Sequence, residues 1–189
     1  RFTMLVKRKK RGPRHKNDQG RLPLHEACLS GAPVGSVEEL IKAFPKGNAV
    51  NDDNGDIPIH LALKRTHPDL EMLRKLLDEY PQAISRPNRN GQLPLHLACS
   101  IVGGGNYTLR VVRILLRSLP SAPSRQASCG SLPLHFACSS GASSGVVRIL
   151  LARYPDGASK SDNDGNTPLH CAIRYDSNVD VQVIRLLLA

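Results

Sequence analysis

Three histidine–cysteine pairs stand out as residues that could do chemistry: His25/Cys28, His96/Cys99 and His135/Cys138. On a helix, an H-x-x-C spacing puts an imidazole and a thiol on neighbouring faces. That is half of a zinc site or the beginning of a Cys–His nucleophile pair. Each copy supplies only two ligands, and a fourth copy at His60 carries Leu63 where the cysteine would be. Packed helices stand about 10 Å apart, too far for pairs in successive layers to share one tetrahedral ion. The pattern therefore points to packing, with no catalytic residue, no metal and no cofactor. Gly103-Gly104-Gly105 lacks the following Lys-Ser/Thr that a phosphate loop needs. The acid pairs Glu38-Glu39 and Asp52-Asp53 fall at a helix start and a turn tip, where solvated carboxylates are ordinary. The chain reads as a non-enzyme with no small-molecule substrate.

The cations are a second chemistry, and they are unevenly placed. The net charge is +10. Lys7, Arg8, Lys9, Lys10 and Arg11 form a run of the nuclear-localisation or nucleic-acid type, without interleaved aromatics for base stacking. Residues 80–155 hold eight arginines and no acid. Arg110, Arg113 and Arg117 are spaced to share one helix face, and Arg74, Arg113, Arg148 and Arg185 occupy equivalent positions in similar apolar segments. These arginines make a basic ridge able to meet phosphates or an acidic partner.

The elements that must position these residues recur five times. GRLPLHEAC, GDIPIHLAL, GQLPLHLAC, GSLPLHFAC and GNTPLHCAI place His25, His60, His96, His135 and His170 in one register, at spacings of 35, 36, 39 and 35. Each copy has Gly five before its histidine, Pro two before and Ala two after. The glycine permits a left-handed turn and the proline suits the first turn of a helix. Four copies continue into an amphipathic run ending at Pro45, Pro81, Pro120 or Pro155, where the proline stops a second helix. The fifth run, VQVIRLLLA, ends before a proline. One unit is thus a turn, a helix, a loop, an antiparallel helix and an extended return. No unit buries its own apolar face, so neighbours must stack. Aromatics are only 4% of the chain and tryptophan is absent, which suits thin helical layers built of Leu, Ile, Val and Ala.

The unit resembles the ankyrin repeat, whose T-P-L-H-x-A signature is complete at Thr167–Ala172. The resemblance covers about residues 17–189, with units longer than the family's usual length and the largest insertion at residues 101–107. It implies an all-α fold: an ankyrin-repeat solenoid of stacked antiparallel helix pairs with turn or hairpin connections. Residues 1–16 are expected to be a basic, disordered tail. The repeats are expected at 17–51, 52–87, 88–126, 127–161 and 162–189, the last incomplete. In this family the motif histidine ties turns together by hydrogen bonds, and the cysteine position is small and buried. The arginine ridge lies on the outer, convex side. Recognition is carried on the concave side by turn tips and the starts of the interhelix loops. Those positions are Arg21, Asp53, Asn54, Asp56, Lys64, Arg65, Arg89, Asn90, Gln92, Arg174 and Tyr175.

These readings converge on an intracellular, cytoplasmic or nuclear, protein-binding scaffold or adaptor that uses the concave groove. Two alternatives stand beside it. One is nucleic-acid or anionic-surface binding through the tail and ridge; the other is a regulatory ankyrin segment of a larger enzyme or channel. No segment has the roughly 18 apolar residues of a membrane span, and the five cysteines, an odd number in repeating contexts, point to a reducing compartment. The chain starts at Arg1 and ends at Ala189 within an apolar run, so it reads as a piece of a longer protein. Val183, Leu186 and Leu187 are expected to lie open for a sixth element to cover.

Overall fold

The computed structural model describes residues 12–103, 105–175 and 179–189, with the side chain of Tyr175 outside that set. Among the described residues the fold is all-helical, with ten α-helices in five antiparallel pairs. The first helices are α1 (Pro23–Ser30), α3 (Pro58–Leu63), α5 (Pro94–Cys99), α7 (Pro133–Ser139) and α9 (Pro168–Tyr175). The second helices are α2 (Val34–Ala43), α4 (Leu70–Glu79), α6 (Gly105–Ser118), α8 (Ser144–Arg153) and α10 (Val181–Leu188). First helices pack on first helices and second on second, giving two parallel layers with the core between them.

The same local causes act in each unit. The proline of the G-x-x-P-x-H motif sits at the first helical position, where its missing N–H costs nothing. The histidine closes the helix start, because its Nδ1 accepts the N–H of the residue before the proline. These bonds are Leu22, Ile57, Leu93 and Leu132 onto His25, His60, His96 and His135, at 3.0–3.2 Å. Leucine and isoleucine have no polar atom to cap with, so the imidazole does what a glutamate does in a capping box.

The closing prolines do more than stop a helix. Phe44, Tyr80 and Tyr154, the residues before them, have φ near −150° and ψ near 80°, outside the helical region that a following proline disfavours. Each proline then opens a 3-10 turn: Pro45–Ala49, Pro81–Ser85 and Pro155–Ser159. The return segment is therefore a tight helical turn before it becomes extended. In the third unit the turn begins later, at Ala122–Ser124.

The buried core is aliphatic, as the scarcity of aromatics requires. Leu61, Leu73, Leu76, Leu95, Val111, Val112, Leu115, Val146 and Val147 are fully enclosed. In the last unit the sequence expectation needs correction. Val183 and Leu187 are buried, four residues apart on the stripe of α10 that faces α8 and α9. Leu186 is half-buried, and the exposed apolar side chains are Ile173, Val181 and Leu188.

Candidate protein-binding surface

Four of the five units begin with a turn closed the same way. Asn17, Asp52, Asn88 and Asp162 stand eight residues before their histidines. In each, Oδ1 accepts two backbone N–H groups, two and four residues on, at 2.8–3.0 Å. Each also donates its own N–H to the carbonyl four residues on. The fourth unit has Ala127 at this position, so its turn keeps the backbone bond to Ser131 and lacks the side-chain closure.

Successive turns are joined by one backbone hydrogen bond each. The N–H of Asp53 donates to Gln19, Arg89 to Asn54, Ser128 to Asn90 and Asn163 to Cys129, at 2.9–3.1 Å. Donor and acceptor positions are the same in all four steps. The approach needs glycine next to it: a Cβ on Gly55 or Gly91 would lie 2.7 or 2.6 Å from the next turn's backbone nitrogen. The motif histidines add a second tie. With Nδ1 occupied by a backbone N–H, Nε2 carries the proton and donates to the return segment or to the turn of the next unit. His25 reaches Val50 and Asp56, His96 reaches Arg125 and His135 reaches Asn166, at 3.0–3.2 Å. His60 makes the first bond, and its buried Nε2 faces the backbone of Arg86 and Gln92 in looser geometry.

This geometry removes both groups from the chemistry that H-x-x-C suggested. Burial pushes the imidazoles of His60 and His96 down to about 4, and it lowers His25 and His135 as well. Burial pushes the thiols of Cys28 and Cys138 up to about 12 and raises Cys99 further, so none is a thiolate near neutral pH. The ring nitrogens of His25, His96 and His135 are spent on backbone groups. Among the described residues, no three His, Cys, Asp or Glu side chains converge to hold a metal ion.

The turn tips form an exposed row held in register by the backbone ladder. Asp53, Asn54, Arg89 and Asn90, read from the sequence, are exposed there. Ser128, Cys129, Asn163 and Asp164 complete the row, and the sequence reading passed over them. Their signal was available, since they share the register of the other tips. Lys64 and Arg174 are exposed at the ends of α3 and α9; Arg65 and Gln92 are half-buried. Arg65 is partly committed, with Nη1 donating to the carbonyl of Leu29 at 2.9 Å. Arg21 is engaged within its own region, its Nε 3.1 Å from Asp52 and its Nη1 3.6 Å from Glu26. The side chain of Tyr175 lies outside the described residues.

Asp56 is a correction. It was expected on the exposed groove, but its side chain is fully buried. It is ion-paired to Lys64, and it accepts from Asn88 Nδ2 at 3.0 Å. A buried carboxylate must be paired and hydrogen-bonded, and Lys64 of its own unit and Asn88 of the next do both.

Two hollows open between units, one beside the tips and one at the ends of α3 and α5. The larger, about 500 Å³, lies between the fourth and fifth units and is lined by Cys129, Ser131, Phe136, Asp164 and Arg174 among others. The smaller, about 270 Å³, lies between the second and third, among Leu63, Arg65, Leu97, Ile101 and Val102. Arg74, Arg110, Arg113, Arg117 and Arg148 are all exposed on the second helices. The basic run Lys7, Arg8, Lys9, Lys10 and Arg11 lies outside the described residues.

The chain matches the family of ankyrin repeats (3 copies) over residues 24–118 and again over 102–189. The matches cover most of its length, and the helix pairs and turn ladder are the expected architecture: the chain belongs to the ankyrin-repeat family. Repeats of this kind are in general protein–protein interaction modules and typically non-catalytic. No curated protein matches the chain.

Proposed function

We propose that this protein is a non-catalytic scaffold or adaptor that binds a protein partner along the concave groove formed by the turn tips and the ends of the first helices. The observation that carries the reading is the ladder of turns. One backbone hydrogen bond per step holds the tips in register, while the side chains presented differ from step to step: Asp53-Asn54, Arg89-Asn90, Ser128-Cys129, Asn163-Asp164. A rigid frame with varied exposed positions is what selective recognition requires. The two hollows would seat side chains of the partner, with Phe136, Arg89, Arg174 and Tyr175 as anchors of the types that dominate interface energy. Asp56 and Arg21 support the groove from beneath.

Affinity capture followed by titration with the purified partner tests the reading. Substituting Asp53, Arg89 and Arg174 with alanine should weaken the captured partner at least tenfold, about 1.4 kcal/mol, while changes on α6 leave it bound. A partner held equally by all groove variants would overturn it. Among the described residues no helix is long and apolar enough to cross a membrane. We read Lys7–Arg11 as a nuclear address and the site of action as cytoplasm or nucleus; fusing the run to a fluorescent reporter tests the address.

A further inference from the structure

We infer that the outward face of α6 and α8 is a docking surface for the sugar–phosphate backbone of a nucleic acid. On α6, Thr108, Val111, Val112, Leu115 and Leu116 point into the core. The opposite face carries Arg110, Arg113 and Arg117, all exposed. Their spacing of three and four residues stacks them along about 10 Å of helix. On the adjacent α8, Val146, Val147 and Leu150 are buried and Arg148, in the register of Arg113, is exposed. None of the four arginines has an acidic partner within ion-pair distance among the described residues. The ridge as a whole is narrower than its sequence register suggests. Arg74 shares α4 with Glu71, Asp78 and Glu79, so that helix carries no net positive charge. The unneutralised cations of the ridge are those of α6 and α8, with Arg185 of α10 beyond them in the same register.

Three features select a phosphate backbone over a protein. First, the face has no apolar centre: the exposed large apolar side chains are Val102, Ile173, Val181 and Leu188, none on α6 or α8. A stable protein interface needs such a centre. Second, the cations are all arginine, with no lysine between residues 76 and 159. A guanidinium fork engages phosphate oxygens in pairs where an ammonium acts as a point charge. Third, the one aromatic on these helices, Tyr107 at the start of α6, is half-buried with its ring 5.8 Å from that of His67, so the contact would be to backbone and indifferent to sequence. The absence of an apolar wedge on this face likewise argues against insertion into a lipid surface.

The test uses the full chain with Lys7–Arg11 changed to glutamine, so that the tail contributes little. Four phosphate contacts give a slope of log affinity against log salt of about −3.6, so binding to a short DNA duplex should fall about 150-fold from 50 to 200 mM salt. The pair R113Q/R148Q should reduce the slope by about 1.8, while R113K/R148K keeps the slope and loses affinity. Both pairs are exposed, and an unchanged circular dichroism spectrum and melting temperature would exclude misfolding. Three results would overturn the inference: a slope indifferent to R113Q/R148Q, equal or tighter binding of polyglutamate, or equal or tighter binding of phosphatidylserine vesicles.

Discussion

Replacing Ala127 with asparagine should stabilise the protein, because it supplies the one turn closure that the array lacks. In the other four turns the side chain at this position accepts two backbone N–H groups. At the equivalent place in the fourth turn, the N–H groups of Cys129 and Ser131 have no acceptor among the described residues. The turn backbone there matches the turns that carry the larger side chain, with the same N–H to carbonyl bond and the same left-handed glycine. Ala127 is 6% exposed, close to the 8% of Asn88, which occupies the same position one unit earlier. Two new hydrogen bonds contribute about 1 kcal/mol each. Fixing the asparagine side chain costs about 0.5–1 kcal/mol of rotamer freedom. The net is about 1 kcal/mol, or a rise in melting temperature of about 2–4 °C for a chain of this size. Urea denaturation gives the first number, and amide exchange resolved by residue gives a sharper one: the protons of Cys129 and Ser131 should slow while those of other turns stay as they are. The reverse change, Asn88→Ala, should cost about 2–3 kcal/mol, since it also strips a partner from buried Asp56. If A127N left both the stability and those two amides unchanged, the closure would not be the source of turn stability.

The protein should lose stability on mild acidification. Burial holds four histidines below the usual value of 6.5, so the unfolded chain takes up protons first as pH falls. Full stability holds above about pH 6.5; each of His60 and His96 then removes about 1.4 kcal/mol per pH unit down to about 4. Asp52 and Asp162, whose carboxyls are held low by Arg21, by backbone N–H groups and by Asn166, extend the loss below pH 4. Denaturation midpoints flat from pH 7 to 4.5 would refute this. Gly91→Ala should cost more than Gly165→Ala. Both glycines have positive φ, which costs alanine about 1–2 kcal/mol, but only at Gly91 would the new Cβ meet backbone, adding about 1–3 kcal/mol; equal melting temperatures would contradict it. A thiol reagent should modify exposed Cys129 in the native protein while Cys28, Cys99 and Cys138 react only on unfolding, which mass mapping of the adducts checks.

Much of this architecture is legible in one dimension. The G-x-x-P-x-H-x-A register placed all five first helices, because each residue answers a local demand: left-handed turn, missing donor, imidazole closure, close approach. The apolar stripes placed the second helices for the same reason. What escaped was set between units. Asp56 looks like a free groove carboxylate until Lys64 and Asn88 are seen to close on it from the next helix and the next turn. Val183 and Leu187 look uncovered until α8 is placed behind them. The turn closures at Asn17, Asp52, Asn88 and Asp162 were present in the residues, but the significance of the position appears only when one side chain is seen to hold two backbone donors at once.

The ladder of turns has a mechanical side. Each step carries one backbone hydrogen bond, so a pull along the stack loads those bonds in series, and the weakest step decides where the array opens. The fourth turn keeps its bond to the third but lacks the side-chain closure that stiffens the other turns, which makes its step the softest. Under tension, or under thermal fluctuation, the array should part there into segments of three and two units. A bound partner spanning the joint would act as a splint across it.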